Sequence, residues 1–181
     1  MHPPLGKLLG GPSWLARGHM VCHCWLIETA RDGLVLVDTG LGGEAMMTAN
    51  AGGREFSRLT GARDFDSEAA LTQVQALGFA PTDVRHIVLT HLDLDHAGGL
   101  IDFPWATVHV HAAELAAAHQ RDTFFAKRRY EPSRWAHDVK WATYEHFGDT
   151  WMGLPATQQL RGLEADVALV PLIGHTPILV I

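Results

Sequence analysis

Hydrophobic positions along this chain change period several times, and each change marks an element. The runs "HMVCHCWLIET" and "GLVLVDTG" are rich in strand-forming residues and flank the turn signal "ARDG", which predicts an antiparallel β-hairpin. In "DSEAALTQVQALGF", Leu71, Val74 and Leu77 recur at helical spacing, with Asp66 or Ser67 as the cap and Gly78 as the stop. "RHIVLT" then reads as a short apolar strand that hands over to a loop, "HLDLDHAGG". "ATVHVH" is another strand, running into the helix "AAELAAAHQ". From Phe124 to Trp151 the pattern is aromatic, mixed in charge and without a clear period, and "DVALVPLIGH" reads as the last strand. Strands alternating with helices predict a layered α/β domain. Without a repeat, a low-complexity tract or a linker, residues 1–181 read as one domain.

Composition narrows what such a domain does. The net charge is −6, from 14 basic and 20 acidic residues, and no basic run follows an aromatic ladder, so no nucleic-acid partner is expected. The opening "MHPPLGKLLGGPSWLARG" is too broken by Pro and Gly for a signal peptide, and no apolar run is long enough to span a bilayer. The expectation is a cytoplasmic protein with no membrane partner and a small-molecule substrate. Histidine changes the picture most: 12 of them nearly match the 14 Lys and Arg, and histidine is the commonest metal ligand. Cys22 and Cys24 are too close for an easy disulfide. With His23 between them they could hold a metal, but an alternating stretch that turns both thiols toward one strand face fits better.

The strand of "IVLTHLDLDH" ends at Thr90, so His91 opens a loop at a strand's carboxyl end, where α/β sheets place ligands. A turn, unlike a helix, can bring His91, Asp93, Asp95 and His96 around one cation, and imidazole with carboxylate suits zinc, iron or manganese. Gly98 and Gly99 let the backbone pass close to that site. The competing reading is a solvated loop with a capping Asp. Two further signals weigh against it: His175 in "GHTP" follows another strand in a Gly-bounded loop, and Asp38 in "VDTG" ends a strand at the same presumed edge.

"VDTG", "THLDLDHAGG" and "GHTP", in this order, resemble the metallo-β-lactamase-fold hydrolases, among them acyl-homoserine lactonases and glyoxalase II-type thioesterases. The resemblance runs from about "VCHCWLIET" to "GHTP". It implies an αβ/βα sandwich and metal-assisted hydrolysis of a small ester, lactone, thioester or lactam, with the acyl-lactone branch as first choice. By the same resemblance His91, Asp93 and His175 hold the first metal, Asp95 and His96 belong to a second, and Asp38 supports the site structurally. Asp95 orients the attacking water and accepts its proton. Two departures matter. Position 93 is Asp where the family pattern has His, which tilts the preference from zinc toward iron or manganese. The chain also stops six residues after His175, whereas the family continues to a bridging Asp and a final His. An incomplete fold, self-association and slow turnover are therefore expected. The alternatives are a truncated or non-catalytic metal-binding protein of the same fold, and a nuclease, which would need basic phosphate contacts.

Other residues carry weaker signals. His109 and His111 alternate in "TVHVH" and are expected on the polar side of a strand, while His86 and His119 read as surface or helix-end residues. Tyr130, Trp135, Trp141, Tyr144 and Trp151 are expected to line a substrate pocket.

Overall fold

The hairpin predicted at the start of the patterned region is present, and it forms one edge of the main sheet. In the computed structural model, strands β1 (Trp25–Glu28) and β2 (Leu34–Val37) pair antiparallel, with Trp25 opposite Val37 and Glu28 opposite Leu34. Gly33, at a φ of 76°, makes the turn. The structure describes all residues except 5, 10, 50, 158, 173, 177, 178 and 181, and all side chains except those and residues 9, 44, 46, 49, 51 and 179. Ile173 of the expected last strand and Pro177 of "GHTP" thus lie outside the described residues.

Helices α1 (Glu44–Ala49), α2 (Ala51–Thr60), α3 (Phe65–Glu68) and α4 (Ala70–Ala76) follow β2. The single helix expected from Asp66 is thus two, broken where Ala69 turns extended (φ −60°, ψ 141°). Neither Asp66 nor Ser67 is the cap, because both lie inside α3, whose cap residue is Asp64 in the left-handed region. Gly78, at a φ of 91°, does end α4 as its pattern required.

Strand β3 (Val84–Val88), helix α5 (Leu94–Ala97), strand β4 (Thr107–His111), helices α6 (Ala112–Gln120) and α7 (Phe124–Arg129), and strand β5 (Lys140–Tyr144) come next. The sheet order is β1-β2-β3-β4-β5, with β2, β3, β4 and β5 parallel to one another. Two small antiparallel pairs complete the described elements: β6 (Asp149–Trp151) with β7 (Leu154–Ala156), and β8 (Pro171–Leu172) with β9 (Leu179–Val180). "DVALVPLIGH" is therefore not one strand: Leu169 bridges to Thr157, and strand pairing resumes only at Pro171.

Burial of both sheet faces corrects the reading of the histidines. Leu34, Leu36, Ile87, Val108 and Val110 face one core, while Val35, Val88 and Ala142 face a second core with Leu160, Leu163, Leu169 and Val180. This second layer covers the face on which His109 and His111 were expected to meet water, so His109 is fully buried and His111 nearly so. His86 is also buried, not a surface residue, and it has a partner: its Nδ1 lies 3.0 Å from His109 Nε2. His109 Nδ1 lies 2.7 Å from the Tyr144 hydroxyl, which accepts a hydrogen bond from the Arg161 N–H. With the Tyr144 hydroxyl as donor to His109 Nδ1, His109 Nε2–H is left to donate to His86. Burial, with the neighbouring His86, lowers the His109 pKa to about 4, which keeps this chain of imidazoles neutral. His111 accepts from Ala113 N–H at the start of α6 and stacks on Phe147 at 5.0 Å. His119 sits exposed in the last turn of α6, as expected.

Four of the five aromatic residues expected at a pocket pack in the cores. Tyr130, Trp135 and Trp141 belong to or pack against the first core, Tyr144 fills the second, and Trp151 is half exposed. Covering two apolar sheet faces required this aromatic area, which leaves none of the five on the wall of the large cavity described below.

Candidate metal centre

The carboxyl ends of β2 and β3 build the site. Asp38 follows β2 in the left-handed region, at a φ of 58°, a conformation that Asp tolerates better than most residues. That turn points its carboxylate across to β3: Asp38 Oδ1 accepts from Thr90 N–H at 2.8 Å, and Oδ2 lies 2.9 Å from Thr90 Oγ1 and 2.7 Å from His96 Nδ1. Thr39 then ties the following loop down, its N–H donating to the His96 carbonyl at 2.7 Å. Gly98 and Gly99 let the two segments touch: a Cβ on either would stand 2.4 or 2.6 Å from the carbonyl oxygens of Leu41 and Thr39. Their close approach is thus to the Asp38 loop, whereas the sequence suggested the site itself.

His91, Asp93 and His175 converge. Among the described residues they form the one group of three or more His, Cys, Asp or Glu whose ligand atoms all lie within 4.8 Å of one another. Asp93 Oδ2 is 3.3 Å from His91 Nε2 and 3.0 Å from His175 Nε2. Three donors about 2.1 Å from one tetrahedral zinc would stand about 3.4 Å apart, so small side-chain adjustments bring these onto one ion. The turn is not wholly irregular, because Asp93 precedes α5 and the helix itself carries Asp95 and His96. His96 Nε2 lies 3.7 Å from Asp95 Oδ2, and the His96 ring faces that of His91 with centroids 4.1 Å apart. No third donor joins Asp95 and His96 among the described residues.

His91 turns Nε2 toward the cluster and Nδ1 toward Thr90 Oγ1, 3.0 Å away. Thr90 Oγ1 can accept from Nδ1 while it donates to Asp38, and in that tautomer the lone pair stands on Nε2. That atom is buried and has no hydrogen-bond partner. A buried acceptor aimed at a carboxylate and a second imidazole is costly when bare and satisfied by a cation, so the residues fit a divalent metal.

Charge around the site follows the same logic. Burial works against ionised Asp93, but the close His91, the Arg129 guanidinium and His175 outweigh it and hold its pKa below the usual carboxylate value. Burial likewise opposes a charged His96, yet its bond to Asp38 and the Asp38, Asp95 and Asp93 charges raise its pKa above that of free imidazole. Cys22 and Cys24 are neutral thiols. Burial first, then the Asp95 charge, pushes Cys22 up to about 11, and burial with Asp38 pushes Cys24 up to about 12. Both are half-buried on the face shared with Leu26, as the alternation predicted, although β1 begins only at Trp25. They line a cavity of about 1170 Å³ with Leu36 and Val74, bounded by the Thr39–Gly42 loop.

Three supporting residues gave no signal in the sequence. Arg129 Nε stands 2.9 Å from Asp93 Oδ1, a close ion contact in which the N–H is not aimed at the oxygen. Glu114 Oε1 accepts from Leu92 N–H at 3.0 Å and from the Tyr130 hydroxyl at 3.1 Å. Arg134, also buried, donates to the carbonyls of Leu92 and Arg129. The basic run "KRRY" marks a helix end, but only the fold brings it to Asp93.

Comparison with known proteins agrees with this architecture. The Metallo-beta-lactamase superfamily matches over residues 17–178. A "Probable metallo-hydrolase" of Mycobacterium tuberculosis is 40% identical over 157 residues, which are 87% of this chain and 50% of that protein. An N-acyl homoserine lactonase of Bacillus cereus is 30% identical over 125 residues, 66% of this chain and 44% of the lactonase. The chain thus spans about half the length of the curated relatives it matches. A crystal structure of the lactonase AiiA of Bacillus thuringiensis, with N-decanoyl-L-homoserine bound, superposes with a TM-score of 0.61 at 23% identity, over 92% of this chain and 60% of that one. It shares the metallo-β-lactamase-type fold. With that family matched over residues 17–178, the chain belongs to the metallo-β-lactamase superfamily.

Proposed function

We propose that the chain performs metal-dependent hydrolysis of a small acyl compound, with a lactone as the first-choice substrate and an ester, thioester or lactam as the wider class. The observation that carries this reading is the buried Nε2 of His91, which has no hydrogen-bond partner and converges with Asp93 and His175. Lactonase relatives support the choice of a lactone. His91, Asp93 and His175 would hold the cation, zinc or else iron or manganese, and Asp95 with His96 would contribute to a second. A bound cation supplies Lewis acidity to a carbonyl and lowers the pKa of water toward neutrality.

The chain's own residues do the rest. Asp38 and Thr90 favour the His91 tautomer with its proton on Nδ1, because Thr90 Oγ1 can accept there while it donates to Asp38. Asp95, with its side chain partly open to solvent, would orient a water and accept its proton.

A purified chain reconstituted with zinc or manganese should hydrolyse a homoserine lactone or a generic ester, and Asp95→Asn should lower that rate by about 100-fold or more while metal at the His91, Asp93 and His175 site stays near the parent value. An Asn variant of full activity would remove Asp95 from the mechanism. A metal-loaded chain without turnover on any of these classes would favour the second reading, a non-catalytic metal-binding protein. That reading has one observation behind it: Asp95 and His96 lack a third donor among the described residues.

A further inference from the structure

The carboxylate of Asp93 has its own cation, and its two oxygens are divided between different neighbours. Oδ1 faces Arg129 Nε at 2.9 Å, while Oδ2 faces His91 and His175. Arg129 also reaches the third ligand segment, because its Nη1 donates to the His175 carbonyl at 2.8 Å. Arg129 is anchored in turn. Its own carbonyl accepts from Arg134 Nη1 at 2.9 Å, and that nitrogen also lies 3.3 Å from the carbonyl of Leu92, the residue between His91 and Asp93. Glu114 Oε1 holds the Leu92 N–H and the Tyr130 hydroxyl, which binds the same two segments from the other side.

We infer that Arg129 is a positioning residue of the metal centre, and that its role is specific to a carboxylate at position 93. The inference rests on the metal reading above. An imidazole presents a nitrogen in one direction, but a carboxylate can rotate and offer either oxygen or both. A guanidinium on Oδ1 removes that freedom and leaves Oδ2 for the ion shared with His91 and His175. Partners that orient a ligand in this way are worth 10- to 100-fold in metal affinity, as a rough guide. A positive charge this near a cation also repels it. With Asp93 between them, the negative charge offsets the repulsion and orientation wins. With an imidazole at 93 only the bond to the His175 carbonyl is left to Arg129, and repulsion works against it. The benefit of Arg129 to metal binding therefore depends on a carboxylate at 93 and is cancelled or reversed without it.

The test is zinc affinity, measured by chelator competition on the full chain, in the parent, Arg129→Met, Asp93→His and the double variant. Arg129→Met is expected to weaken zinc binding by about 10-fold or more in the parent background. In the Asp93→His background the same change should leave affinity equal or higher. Arg129→Lys, which keeps the charge but cannot reach both Asp93 and the His175 carbonyl, should fall between parent and Met. Metal-free unfolding is the second readout: a partly exposed ion pair is worth little, so Arg129→Met should shift the metal-free midpoint by no more than about 5 °C. If Asp93→His does not fold, lost affinity with unchanged metal-free stability in Arg129→Met still supports the inference. An unchanged or higher zinc affinity in Arg129→Met, or an equal loss in both backgrounds, would overturn it. A parent chain that binds no zinc would overturn the metal reading and this inference with it, whereas zinc binding indifferent to Arg129 sinks the inference alone.

Discussion

Two groups of histidines lie on one sheet and behave in opposite ways. His86 and His109, on β3 and β4, are buried in a chain that runs through Tyr144, and each shared proton has a donor and an acceptor within 3.0 Å. His91, in the loop after β3, is as deeply buried, yet its Nε2 has no partner and points at Asp93 and His175. Burial, spacing and residue type do not separate the two groups. What separates them is where the last lone pair ends. A closed chain spends its hydrogen bonds on holding a core together, whereas an open one keeps a donor atom for something from outside.

The largest expected effect breaks the comparison from the open side. His91→Ala removes a ligand outright, so its zinc affinity should fall by more than the roughly 100-fold that loss of a supporting partner can cost. The matched change in the closed group, His109→Leu, should leave zinc affinity within about twofold while lowering stability by about 1–3 kcal/mol, because the Tyr144 hydroxyl and His86 lose their partner. Zinc titration and urea unfolding of both variants decide this. Equal zinc losses would show that the two groups are one system.

The next largest effect is acid sensitivity of the closed group. Burial lowers the folded-state pKa of His109 to about 4 from an ordinary 6.5. The unfolded chain therefore takes up a proton first as pH falls. The stability is fully present above about pH 6.5 and is lost progressively down to about pH 4, for a total of about 3 kcal/mol. Urea unfolding at pH 7.5, 6 and 5 should show this slope, and His109→Leu should flatten it. A variant with the parent's slope would place the titrating group elsewhere.

A smaller effect sharpens the open side. Thr90→Val preserves shape but removes the hydroxyl that accepts from His91 Nδ1 and donates to Asp38. His91 can then carry its proton on either nitrogen, and zinc affinity should drop by about 10-fold with the fold intact. Unchanged affinity would mean that Thr90 does not set the tautomer.

The open group was legible in the sequence and the closed one was not, for a physical reason. The order "VDTG", "HLDLDHAGG" and "GHTP" marks strand ends, and strand ends in a parallel sheet share one edge, so Asp38, His91 and Asp93 could be placed near one another before any coordinates. The hairpin, β3, β4 and α6 were legible for a related reason, since each is a clean period bounded by a turn residue. "TVHVH" reads as a half-polar strand because alternation reports which residues share a face, not what covers that face. The cover comes from residues 147–170, a stretch of short strands and turns with no period of its own. Arg129, Glu114 and Arg134 carry no sequence signal for the same reason: their partners are 20 to 50 residues away, and only the packing of α6, α7 and the turn after α7 against the ligand loop brings them there.

Zinc K-edge absorption on the loaded chain tests the central claim most directly, because it reports the atoms bound to the metal. The account predicts a shell of nitrogen and oxygen at about 2.0–2.1 Å, with the outer scattering of two imidazoles from His91 and His175 and no sulfur. A sulfur shell at about 2.3 Å would place the metal on Cys22 and Cys24, and an oxygen shell without imidazole would remove the histidines. Either would contradict the assignment of His91, Asp93 and His175 as the metal centre.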